Sequence, residues 1–169
     1  MSRIVRFSVL VLLIALLGAC VAPPTSPSAT AMINPGDKIG DFLVTKGEAE
    51  DVVYTWEMGC TKQESAEVYA CKSTVGEKVN ISAGVYAALS GKTLDSLWSE
   101  HTYELLIGDR PVNLAAFGSI DVAHPRVGTM RHWNVVLEAA KPGEITIHDR
   151  GKVDGEAFES TMIFTFGPP

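Results

Sequence analysis

Four histidines, three cysteines and three tryptophans carry most of the reactive or ligand-binding chemistry open to this 169-residue chain. His101, His124, His132 and His148 stand at no i, i+2 or i, i+4 interval from one another, so the spacing of a zinc-binding helix or ribbon is absent. His124 and His132 frame the loop 125–131, which allows convergence across a turn. His132 and His148, however, fall on the outward phase of alternating runs, where solvated imidazoles are the simpler expectation. Cys60 and Cys71 do not form the Cys-x-x-Cys of a redox or zinc motif. No Gly-x-Ser-x-Gly elbow activates a serine, and Ser96, Ser99 and Ser119 have no base at a telling spacing. Ser90-Gly91-Lys92-Thr93 matches the end of a phosphate-binding loop, but Tyr86 stands where its first glycine is needed. Asp149, Asp154 and Glu156 are acidic turn residues without calcium-loop spacing. Trp56 and Trp133 share phase with aliphatic neighbours and belong to a core, whereas Trp98 stands beside Ser99, Glu100 and His101. The candidate ligand surface is therefore Trp98, His101, His124 and His132, with no catalytic set, metal site or cofactor implied.

The chain carries 14 Lys+Arg against 20 Asp+Glu, a net charge of −6, and no basic cluster. Neutralising phosphates needs a cationic face, so a nucleic-acid partner is excluded. Arg3 and Arg6 precede an uncharged apolar run from Phe7 to Leu17, too short to span a hydrocarbon core of about 30 Å and suited to a signal peptide. Leu17-Gly18-Ala19-Cys20 closes that run. This tetrapeptide resembles the lipobox of bacterial prolipoproteins, in which the cysteine thiol receives a diacylglycerol, the signal is cut before it, and the new amino group is acylated. The resemblance implies a signal over 1–19, lipidation of Cys20, and an extracytoplasmic protein held on the cell membrane or outer membrane by acyl chains. Loss of Arg3 and Arg6 would take the charge from −6 to −8, so anionic lipid would repel the body of the protein.

Assigning Cys20 to lipid leaves Cys60 and Cys71 as an even pair in an oxidising compartment. They bracket the polar segment 61–67 between strand-like runs, and a disulfide would staple that hairpin. All three cysteines are then accounted for, and none is free for catalysis.

The positioning elements follow from patterning. Segment 20–36, rich in Pro, Ser and Thr and devoid of charge, reads as a disordered tether. From Asp37 onward, over 37–169, alternation of period two dominates. It recurs at Val52, Tyr54, Trp56 and Met58; at Val79, Ile81, Ala83 and Val85; at Trp133, Val135 and Leu137; and at Phe158, Ser160, Met162, Phe164 and Phe166. Gly108-Asp109 is a two-residue hairpin signal between 103–107 and 110–114. Pro142-Gly143, Asp149-Arg150-Gly151 and Asp154-Gly155 read as further turns. Only 93–100 reads as a helix, with Thr93 as N-cap and Leu94, Leu97 and Trp98 on one face.

These signals predict a mainly β protein, a single antiparallel β-sandwich with one short helix. The strand, Pro-Gly corner and strand over 137–147 are similar to the late strands of extracytoplasmic immunoglobulin-like domains. A tethered all-β body without a convergent catalytic set points to a non-enzymatic binding or structural module, with an envelope protein, glycan or wall component as partner. The alternative is a lipid-anchored hydrolase or metal-dependent enzyme using His101, His124 or His132 with a carboxylate.

Overall fold

The computed structural model describes residues 31–64, 67–87 and 91–169. Cys20, the signal segment and most of the expected tether lie outside the described residues. Packing begins upstream of the Asp37 boundary. Ile33 is fully buried, donates its N–H to Pro111 O at 2.9 Å and accepts from Asn113 N–H at 2.9 Å. The one large apolar side chain after Met32 in a polar stretch is thus the domain's first anchor, and 33–36 belong to the domain rather than to a tether.

The chain is mainly β, and its strands form a sandwich. One sheet has the order β1 (Lys38–Ile39), β2 (Phe42–Thr45), β12 (Val136–Ala139), β6 (Lys78–Asn80), β3 (Val53–Tyr54). The larger has β4 (Thr61–Lys62), β5 (Val68–Thr74), β14 (Glu156–Gly167), β13 (Gly143–Val153), β8 (Thr102–Ile107), β9 (Arg110–Pro111). Both bury one face in a common core: Phe42, Val44, Val79 and Leu137 from the first meet Leu105, Ile147, Phe164 and Phe166 from the second. Phe42 and Phe166 touch across the interface with ring centroids 5.6 Å apart. A third sheet, β10 (Ser119–His124), β11 (Gly128–Trp133), β7 (Gly84–Tyr86), carries its own apolar cluster of Val122 and Met130 with Val52, Tyr54 and Val136. Pairing is mostly antiparallel, but β5 runs parallel to β14 and β3 to β6.

Several local expectations hold. Cys60 and Cys71 are disulfide-bonded at the base of the β4–β5 hairpin. Gly108-Asp109 links β8 to β9, and α1 (Leu94–Glu100) starts at Thr93, whose Oγ1 accepts the Ser96 N–H at 3.2 Å. The Pro142-Gly143 corner carries the chain from one sheet to the other.

Others are overruled. The run from Val52 leaves its strand after Tyr54, because Glu57 closes a turn, its N–H on Tyr54 O at 2.8 Å and its carboxylate on Tyr54 N–H at 2.9 Å. Residues after Pro111 do not extend β9. Leu114-Ala115-Ala116-Phe117 form a second helix, α2 (Leu114–Phe117), which Gly118 ends at φ 70°. Asp149-Arg150-Gly151 is no turn but the middle of β13, which turns only at Asp154-Gly155, both at positive φ.

Candidate functional site

The long β13–β14 hairpin determines where a site can form. Its inward phase reads Ile145, Ile147, Asp149, Gly151 on β13 and Phe166, Phe164, Met162, Ser160, Phe158 on β14. The first half of that ladder packs into the sandwich core. At Asp149 on β13 and from Met162 to Phe158 on β14, the same face lines a cleft of about 770 Å³. That volume is in the range of small-molecule sites.

Asp149 lies at its floor with only 4% of its surface exposed. Directly opposite on β14, Ser160 donates its hydroxyl to the Asp149 carboxylate. Tyr103, on the other flanking strand, accepts the Ala83 N–H at 2.9 Å, and its hydroxyl is near enough to the same carboxylate to favour the ionised acid. These hydrogen bonds favour the ionised acid, yet burial outweighs them and holds the Asp149 carboxyl above its ordinary range. Burial likewise pushes the Tyr103 phenol well up, with the neighbouring Asp149 charge adding to it.

The walls are aromatic. Trp56, Tyr69 and Phe158 line the cleft together with Met162 and the Cys60 end of the disulfide. Phe158 depends on Gly151, its partner across the ladder: a β-carbon there would lie 3.2 Å from the Phe158 ring and 1.9 Å from Thr102 O. At the mouth, Tyr69 donates its hydroxyl to Glu67 at 2.5 Å, and Lys62 pairs with Glu67 while standing 5.9 Å over the Tyr69 ring.

The four residues expected to form a ligand surface fall into two groups behind these walls. His124 and His132 converge on the Trp56 ring, at centroid distances of 5.0 and 5.1 Å. His132 is not outward but buried at 2% exposure, because Gly84 on the neighbouring strand leaves room: a β-carbon there would sit 2.7 Å from the imidazole. Its Nδ1 lies 3.3 Å from Ser82 O, and burial first of all lowers its pKa from 6.5 to about 4. Nor does His132 neighbour His148, which is exposed on a different sheet against Thr161. Trp98 and His101 form the second group. Trp98 packs on Trp133 at 4.8 Å, and His101 on Tyr103 at 5.6 Å and on Phe158 at 6.3 Å. Burial lowers the His101 pKa as well.

Among the described residues none of these histidines hydrogen-bonds a carboxylate, and no group of three or more His, Cys, Asp or Glu could hold a metal. Compared with family models, curated proteins and solved structures, the chain matches none. The cleft presents a buried acid that accepts the Ser160 hydroxyl beneath aromatic walls, an arrangement suited to holding a ligand.

Asp149 and Gly151 are what sequence reasoning missed. The signal was present: counting outward from the Asp154-Gly155 turn pairs Asp149 with Ser160 and Gly151 with Phe158.

Proposed function

We propose that the chain is an extracytoplasmic lipoprotein, tethered through acyl chains on Cys20, and that its β domain is a non-enzymatic binding module whose ligand enters the Asp149 cleft. The observation that carries the binding half is that cleft, about 770 Å³ in volume, with a buried carboxyl at its floor and Trp56, Tyr69 and Phe158 around it. A polar group at the bottom of an apolar recess orients a ligand, and the aromatic walls supply the contact area. The lipobox-like Leu17-Gly18-Ala19-Cys20 supports the location, as does the Cys60–Cys71 disulfide, a bond that persists in oxidising compartments.

Methyl and indole NMR on the full-length chain in dodecyl maltoside tests the site. A panel of small aromatic fragments should shift the Met162 methyl and the Trp56 indole before the Trp98 indole. Shifts confined to Trp98 would move the binding site off the cleft, and an unresponsive spectrum would remove it.

A further inference from the structure

Resting on the cleft as the binding site, we infer that its ligand is an organic cation, an amine or quaternary ammonium with an apolar or aromatic body. Among the described residues that line the cleft there is no lysine, arginine or histidine, whereas Glu67, Asp149 and Glu159 all border it. Glu159 alternates to the opposite face of β14, beside Arg150, and Glu67 at the mouth is paired with Lys62. Asp149 is thus the carboxyl left for a ligand, and it is the buried one. A neutral ligand would leave that buried carboxyl without a charge partner, since the Ser160 hydroxyl bonded to it carries none. An anion would face a carboxylate with no cation to offset it.

Aromatic faces strengthen the same preference, because their negative quadrupoles attract ammonium groups within about 6 Å of the ring centre. The protein already uses this pairing at the cleft's mouth, where the Lys62 ammonium sits 5.9 Å over Tyr69 and pairs with Glu67. Trp56 and Phe158 repeat the aromatic part in the cleft's lining, with Asp149 as the acid. A carboxylate and an aromatic ring thus recur as a pair, with Lys62 as the cation at the mouth and no cation among the described residues that line the cleft.

Three water-soluble probes of one shape and different charge discriminate: benzyltrimethylammonium, benzyl alcohol and phenylmethanesulfonate, titrated against the full-length chain in dodecyl maltoside with tryptophan fluorescence as readout. The cation should give a saturable change, with the alcohol and the sulfonate weaker by about tenfold or more. Equal binding of the alcohol or the sulfonate overturns the cation inference while leaving the cleft as a binding site. No saturable response to any of the three overturns both. Asp149→Asn should weaken the cation by about tenfold; an unaltered cation affinity removes Asp149 from the inference. Should that variant not fold, the wild-type chain gives the second reading. Cation affinity should rise with pH as Asp149 ionises, through a range above the ordinary aspartate value, and a flat profile overturns its role.

Discussion

Tyr103 and Phe158 stack across a strand to which neither belongs. Their ring centroids are 6.1 Å apart and their planes 26° from parallel, and between them runs β13 with Gly151, the register partner of both. The absent side chain lets two rings from outer strands meet over the middle one, a device that shields a strand glycine. It also sets the Tyr103 hydroxyl on Asp149 and the Phe158 ring in the wall of the cleft.

Gly151→Ala therefore strains the sheet and the site together. The new methyl would meet Thr102 O at 1.9 Å, a backbone atom that cannot turn aside. Chemical denaturation should show a loss of about 3 kcal/mol, at the upper end of overpacking costs. A loss within experimental error of zero would show that β8 and β13 are not as close as described.

His132 makes stability depend on pH. Its folded pKa of about 4 lies below the ordinary 6.5, so the folded protein favours the neutral ring and the unfolded chain takes up the proton first. This contribution is complete above about pH 6.5 and is lost as pH falls toward 4, at most about 3 kcal/mol in all. His101 acts in the same direction. Asp149 acts in the opposite one, since an acid whose pKa is raised on folding contributes stability at low pH that fades as pH rises through that range. Urea melts across this window should show a net fall toward acid, and His132→Gln should flatten it whatever its absolute stability. An unaltered slope in the variant would falsify the assignment to His132.

The disulfide closes a short hairpin whose strands pair just beyond it, Thr61 with Ala70 and Lys62 with Tyr69. In the chain-entropy model, replacing both cysteines by serine costs about 3 kcal/mol for a loop of about a dozen residues. Denaturation of the double variant against the oxidised parent measures it, and equal midpoints would contradict the staple.

Cys20→Ala tests the location. In a host that exports the chain, the variant should either leave the membrane fraction or persist as the unprocessed precursor. A membrane-bound form of mature size would refute lipidation at Cys20.

Elements with purely local causes were legible in the sequence: Thr93 capping α1, the Gly108-Asp109 turn, and the alternation from Phe158 to Phe166 that became the inner face of β14. What stayed hidden was decided by tertiary contacts. Asp149-Arg150-Gly151 has turn composition, but Ser160 and Tyr103 hold the acid across strands, and Thr102 crowds the glycine. With Trp133, Val135 and Leu137 taken as one inward run, His132 falls on the outward side. The chain changes sheets at Asn134, whose N–H goes to Gly118 O, so the inward phase of β11 is Met130 and His132 instead. Trp98, His101, His124 and His132, expected to form a ligand surface, are not among the residues that line the cleft: His124 and His132 lie against Trp56, and His101 against Phe158.

Carbon-13 detection of the Asp149 side-chain carboxyl through a pH titration reads the floor of the cleft most directly. The midpoint should lie above the ordinary aspartate value of 3.8, since burial outweighs the Ser160 and Tyr103 hydrogen bonds. Saturating benzyltrimethylammonium should draw it downward, because a bound cation stabilises the ionised acid. A midpoint at the ordinary value, unmoved by the cation, would contradict both the buried carboxyl and its part in binding.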